Sequence, residues 1–206
     1  MHAVGDAVAT GVVTPKVALL PGSIRSESMS RRLADALVPI LADHGLAAEV
    51  IDLTDYPMPL YHGDEEAESG PPAAAVALHD RIAQFDGIIF VSPEYNGGPT
   101  ALLKNSFDWV TRVDRAVFKR LLVGLTATSP GSRGARNGLS VMRSMCEHMR
   151  LDLVRDDLSI PDYRDAFDMV AGVPTLVRSD DIDAAELFAG GYAQRMRERA
   201  AVESSS

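Results

Sequence analysis

Three segments of this chain gather hydroxyls, amides, arginines and glycines at points where an apolar run gives way to a helical pattern. The first, PGSIRSESMSRR (21–32), offers Ser23, Ser26, Ser28 and Ser30 with Arg25. Unpaired backbone N–H groups and the helix dipole favour an anion at such a place. Hydroxyl donors and one guanidinium complete a phosphate pocket without much net charge. The segment lacks the lysine of a P-loop and the three glycines of a dinucleotide fingerprint, so neither nucleotide motif applies. A plainer role stands beside the functional one: Ser28 or Ser30 caps the helix that follows.

The second segment, SPEYNGG (92–98), leaves an apolar strand through an acid, an aromatic, an amide and two glycines. Backbone at Gly97 and Gly98 admits a flat ligand closely, since no Cβ intervenes. Tyr95 brings a π-face and a hydroxyl, and Asn96 both donors and acceptors. An ordinary turn explains Asn96-Gly97 equally well, but not the tyrosine. The third, ATSPGSRGAR (127–136), places Thr128, Ser129 and Gly131 where donors would meet a ring edge. Arg133 and Arg136 either meet a second anionic ligand or form a solvated face.

Other reactive side chains form no pattern. His2, His44, His62, His79 and His148 lack ligand spacing, so no metal site is expected. Glu94 reads as a carboxylate hydrogen-bonded to backbone or paired across a subunit interface. Cys146 is the single cysteine, which rules out an internal disulfide and a cysteine-rich zinc site, and the cytoplasm is the expected compartment.

The elements that carry these loops alternate. KVALLP (16–21) is a buried strand. A helix follows, with Leu33, Leu37, Ile40 and Leu41 on one face and Gly45 at its C-terminal stop. AAEVIDL (47–53) is the second strand. The Pro-rich, acidic connector over 54–72 is long enough to suggest a functional or mobile loop. A helix over 72–84, a strand over 86–91, a helix over 101–112, a strand over 120–128 and a helix over 135–149 come next. An edge strand is expected over 152–160, and a last helix from about Asp183, acidic at its start and basic at its end. Five alternations predict an α/β fold with a doubly wound parallel sheet and helical crossovers. Ligands of such sheets lie beyond the carboxyl ends of the strands, where the three loops emerge.

The 206 residues suffice for one substantial core. Residues 1–15 read as a flexible extension, 16–200 as a single domain and 201–206 as a disordered tail. A composition of 46% hydrophobic and 24% charged residues argues against wholesale disorder. The net charge of −9 argues against a nucleic-acid partner, whose phosphates need clustered lysine and arginine. No apolar run has a membrane-spanning length.

Taken together, GSIRSESMS, SPEYNGGPTALLKNSFDWV and TSPGSRGAR resemble the NADPH-dependent FMN reductases, flavodoxin-like flavoproteins that include quinone, azo and chromate reductases. The likeness runs from about residue 17 to 160. It implies a flavodoxin-like five-stranded parallel sheet with helices on both faces, bound FMN, NADPH (or NADH) as electron donor, and a homodimer or homotetramer with flavin sites beside the interface. By matched position, Ser23, Arg25, Ser28 and Ser30 hold the phosphate. Pro93, Glu94, Tyr95 and Asn96, with backbone at Gly97, border the isoalloxazine. Thr128, Ser129 and Gly131 sit near its pyrimidine end. Two departures stand out. Ser30 replaces an asparagine common in the family, and Thr100-Ala101 stands where Pro-Gly is common.

On this reading the flavin carries the chemistry and no side chain serves as general acid or base. Electrons pass from NADPH to a small acceptor: a flavin, quinone, azo compound or metal oxyanion. Arg133 or Arg136 is expected to contact the 2′-phosphate. N–H donors of the 128–131 loop are expected to stabilise negative charge on the reduced flavin. An electron carrier of flavodoxin type without a nucleotide site, and a flavin-free interaction protein on the same fold, remain as alternatives. The apolar ring of helix 101–112 (Leu103, Phe107, Trp109, Val110) suggests a subunit contact beside simple core packing.

Overall fold

The computed structural model describes residues 14–203. Most of the expected extension, residues 1–13, and the end of the expected tail, 204–206, lie outside the described residues. Strands β1 (Lys16–Pro21), β2 (Ala47–Val50), β3 (Gly87–Pro93) and β4 (Leu122–Thr128) form a parallel sheet completed at one edge by β5 (Asp152–Leu153) and β6 (Leu158–Ile160). The order is β2-β1-β3-β4-β5, with β6 also on β4. The direction of winding therefore reverses between β1 and β3, and the mouths of those strands open beside each other. β3 and β4 are buried almost throughout, as strands covered by helices on both faces must be.

One layer holds α1 (Met29–Asp43) and α6 (Ser179–Glu203), the other α3 (Ala73–Ile82), α4 (Ala101–Val113) and α5 (Arg136–His148). Leu33, Leu37 and Leu41 of α1 pack with Val17, Leu19 and Phe188 on one face of the sheet. Phe90, Phe107 and Phe118 meet on the other, the last two stacked at 4.4 Å. α1 ends as the sequence predicts. Gly45 takes φ 80, its N–H reaches the Ala42 carbonyl, and Leu46 N–H reaches that of Leu41. This paired closure needs the left-handed residue that glycine supplies without strain.

Five expectations change. The 54–72 connector contains a helix, α2 (Gly63–Ser69), and its first half is held down. Asn105 Nδ2 and Trp109 Nε1 both donate to the Pro59 carbonyl at 2.8 Å, and Asn105 Oδ1 accepts from Tyr61 N–H. Tyr61 meets the Trp109 ring edge-on at 5.1 Å. That layer covers the surplus apolar ring of α4 within the same chain. Leu103, Phe107, Trp109 and Val110 are all buried without a second subunit.

The edge strand is interrupted. β5 and β6 flank residues 154–157, where Arg143 of α5 grips Asp157 and the Val154 carbonyl. An antiparallel hairpin, β7 (Phe167–Val170) and β8 (Val173–Leu176), precedes α6. Finally, α6 starts at Ser179 rather than near Asp183 and runs to Glu203, past the expected domain end at 200.

Candidate functional site

The first loop leaves β1 at Gly22, whose N–H donates to the Val91 carbonyl of β3 at 2.9 Å. A side chain at Gly22 would press on Leu103 and Pro93 at 3.1–3.2 Å, so a larger residue there would require those neighbours to shift. Ser28 is the N-cap of α1. Its Oγ accepts from Arg31 N–H at 3.1 Å and lies 3.0 Å from Ser30 Oγ. Capping is thus real, yet the capped end still presents N–H groups of the first turn and a buried pair of hydroxyls. Arg25 is exposed, and Glu27 is paired with Arg32 at 2.6 Å.

The second loop is a two-residue hairpin. Tyr95 N–H donates to the Gly98 carbonyl at 2.9 Å, and Gly98 N–H returns a bond at 3.1 Å. Asn96 and Gly97 have φ 53 and 80, the two positive values that a primed hairpin turn requires. Turn geometry therefore accounts for both residue types. It also lifts Tyr95, 49% exposed, onto the rim.

Glu94 does not face solvent as a free acid. Its Oε2 accepts from Gly138 N–H at 2.9 Å, in the first turn of α5. Ala135, which precedes that helix, is left-handed and gives no side-chain cap. Glu94 supplies the missing cap from another loop, with its charge at the positive end of the helix. Of the two roles open in the sequence, the structure has the bond to backbone.

The third loop spends most of its donors on itself. Thr128 Oγ1 donates to the Ile160 carbonyl at 3.0 Å, as does Ser129 N–H at 3.3 Å. Ser129 Oγ donates to the Gly131 carbonyl at 3.1 Å, and Pro130 has no N–H. Gly131 N–H is the donor left, so the expected bank of N–H groups over 128–131 shrinks to one. The loop is stiff as a result. Asp162 N–H and Gly134 N–H both close on the Gly131 carbonyl, and Tyr163 N–H closes on that of Ser129.

The loops converge. Ser23, Arg25, Ser28 and Ser30 share one cavity of about 190 Å³ with Pro93, Glu94 and Tyr95 and with Thr128 and Ser129. Asn96, Gly97 and Gly131 belong to the same turns but do not line it. Arg133 is exposed and also outside. Arg136 turns away altogether, into a separate cavity with Arg143, Asp157 and Phe188. The two arginines therefore do not act as a pair. Sequence reasoning missed Tyr163, which lines the site from beyond β6, and Thr100, which fastens the first two loops together. A lone tyrosine after a weak edge strand gives no periodic signal. Thr100 carried one as a helix N-cap ahead of ALLKN.

Residues 15–165 match the family model described as NADPH-dependent FMN reductase. The chain belongs to that family. It is 31% identical over 140 residues to a 2-hydroxy-1,4-benzoquinone reductase of Burkholderia sp, covering 68% of this chain and 74% of that one. It is 36% identical over 119 residues to a quinone reductase of Pseudomonas putida, covering 57% of this chain and 62% of the relative. Among solved structures, the flavoenzyme NAD(P)H:(acceptor) oxidoreductase FerB of Paracoccus denitrificans superposes with a TM-score of 0.76 at 22% identity, over 89% of this chain and 98% of that one. Flavodoxin 1 of Bacillus cereus gives 0.55 at 14% identity, over 87% and 97%. These two likenesses speak for the flavodoxin-like fold.

The residues present fit FMN, the family's cofactor. The cavity joins a helix N-terminus, buried serine hydroxyls and one guanidinium, a donor set made for a phosphate. Its two carboxylates are already occupied, Glu27 by Arg32 and Glu94 by Gly138. Above it an aromatic side chain stands on an open turn. Among the described residues no group of histidine, cysteine or acidic side chains is arranged to hold a metal, and no helix is long and apolar enough to cross a membrane.

Proposed function

We propose that this protein transfers electrons from NADPH to small flat acceptors, quinones first among them, through FMN seated on the three loops. The convergence of those loops on one cavity at the sheet's reversal point carries the reading. In the balanced reaction, NADPH, a proton and a quinone give NADP⁺ and the hydroquinone. When bound, FMN supplies the redox chemistry, accepting hydride from the nicotinamide and returning two electrons to the acceptor.

The chain's own part is binding and orientation. Ser23, Arg25, Ser28 and Ser30 hold the phosphate, with the first-turn N–H groups of α1 behind them. Pro93 and Tyr95 border the ring, and the rigid turn at Asn96 and Gly97 keeps one face open for the nicotinamide and then the acceptor. The backbone N–H of Gly131, on the third loop just outside the cavity lining, is the donor we assign to negative charge at the ring's pyrimidine end. No side chain of the cavity is assigned a proton-transfer step, since Glu94 is committed to α5.

Flavins, azo compounds and metal oxyanions belong to the same acceptor class, because an exposed reduced ring discriminates little among them. We read the protein as a cytoplasmic homodimer or homotetramer, a reading that rests on the family resemblance. Light scattering on the purified protein tests the assembly.

The deciding experiment is anaerobic. NADPH bleaches the flavin absorbance of the FMN-loaded protein within the turnover time, and added benzoquinone restores it. Bleaching by dithionite but not by NADPH would indicate an electron carrier, and no flavin spectrum after incubation with FMN an interaction protein.

A further inference from the structure

The cavity has a fourth wall that none of the three motifs provides. Tyr163 opens the short 3-10 turn Tyr163–Asp165 beyond β6 and lines the same cavity as Ser23, Arg25 and Ser28. Its placement is built rather than incidental. Tyr163 N–H donates to the Ser129 carbonyl at 3.1 Å, and Asp162 N–H to that of Gly131 at 3.3 Å. Asp162 itself is left-handed at φ 46, a conformation that costs a non-glycine residue free energy and persists where surroundings enforce it.

Arg178 does the enforcing. Its guanidinium donates to the Pro161 carbonyl at 2.5 Å and approaches that of Asp162 at 3.4 Å, while Asp181, nearly buried, fixes the guanidinium at 2.6 Å. The tyrosine is thus held from both sides. Among the described residues its hydroxyl has no hydrogen-bond partner, whereas the Thr128 and Ser129 hydroxyls of the adjoining third loop are spent internally.

We propose that Tyr163 is a specificity-determining residue of the flavin site, its phenol donating a hydrogen bond to the FMN phosphate and so favouring FMN over riboflavin. The proposal rests on the FMN reading above. It follows from the company the residue keeps: the serines and the arginine that line the same cavity suit a phosphate, and the two carboxylates of its lining, Glu27 and Glu94, are engaged by Arg32 and the start of α5. A hydrogen bond to an ionised oxygen is among the stronger ones, and its loss is felt chiefly by the ligand that carries the charge.

The test uses the full chain freed of flavin, titrated with FMN and with riboflavin by quenching of flavin fluorescence. Tyr163→Phe keeps the ring and removes only the hydroxyl. The expected result is an FMN Kd raised about tenfold, the scale of one charge-assisted bond, with the riboflavin Kd unchanged. Tyr163→Ala is expected to weaken both flavins and the FMN:riboflavin preference, with the thermal midpoint showing that it still folds. An unaltered FMN:riboflavin ratio in Tyr163→Phe overturns the assignment while leaving the FMN reading intact. Failure of the unmutated chain to bind FMN overturns both, and is distinct because it appears before any substitution.

Discussion

Thr100 Oγ1 donates to the Gly22 carbonyl at 2.7 Å across 78 residues of sequence and, as the N-cap of α4, accepts from Leu103 N–H at 3.3 Å. One buried hydroxyl thereby joins the exit of β1 to the exit of β3, the two strands that flank the reversal point. A proline at this position would have no hydroxyl with which to make the tie.

The first prediction follows directly. Thr100→Val preserves shape and removes both bonds, which costs a cap and leaves the Gly22 carbonyl unsatisfied. Stability in urea is expected to fall by about 1–3 kcal/mol. FMN affinity falls too, because the phosphate loop loses its anchor. Unchanged FMN titrations at reduced stability would confine Thr100 to capping.

Glu94 lies in the candidate site but serves α5. Glu94→Gln keeps an oxygen acceptor for Gly138 N–H, so NADPH-dependent quinone turnover is expected to stay within about twofold, while Glu94→Ala loses about 1 kcal/mol of stability through the vacated cap. A turnover loss of a hundredfold in Glu94→Gln would instead mark a proton-transfer role.

What the sequence disclosed follows physical rules that act locally. Apolar runs of β3 and β4, the i, i+3, i+4 faces of α1 and α5, and Gly45 gave the sheet and its helices. The three loops were legible because each breaks a period with residues that a plain connector does not need. α2 escaped because GDEEAES has no apolar stripe. Its stability comes from acids at its N-terminus, a His62 cap and the Tyr61–Glu66 bond.

The hairpin β7–β8 escaped for a related reason. Its turn puts Ala171, not asparagine or aspartate, at φ 51 ahead of Gly172 at φ 84, and β7 is largely exposed, so no clean alternation marks the pair. The covering of Trp109 by residues 59–61 and the divergence of Arg133 from Arg136 are tertiary facts that neither periodicity nor motif encodes.

Cys146 is fully buried on α5, and burial pushes its thiol up to about 12. At pH 8 the thiolate that reacts with disulfide reagents is therefore scarce as well as inaccessible. The native protein is expected to resist Ellman's reagent and to release one equivalent of product once unfolded in urea. Rapid labelling of the native chain would show that α5 opens locally.

Asp52 holds its carboxyl below the usual carboxylate range, chiefly through bonds from the Thr54 hydroxyl and N–H, with Arg31 adding attraction. The folded state thus binds its proton less readily than the unfolded chain, whose aspartate titrates near ~3.9. This contribution is present above that value and is lost as pH falls through the lower folded one. Because the side chain is 40% exposed, it amounts to under about 1 kcal/mol. Asp52→Asn is expected to be less stable than the parent at pH 7, with the two denaturation curves drawing together below about pH 4. A gap that widens in acid would reverse the sign.

The separation of the two arginines makes nucleotide preference a sharp question. Arg133 stands exposed on the third loop, whereas Arg136 lines a cavity with Arg143, Asp157 and Phe188. On the proposed function, a 2′-phosphate reaching over the open flavin face is expected to meet the first and not the second. Arg133→Ala is expected to raise the KM for NADPH about tenfold, the equivalent of about 1.4 kcal/mol, and to leave NADH unaffected. Arg136→Ala is expected to alter neither by more than about twofold. Equal KM values for the two nucleotides in the parent and both variants would remove the 2′-phosphate from the argument, and a larger effect in Arg136→Ala would place the nucleotide across α5 instead.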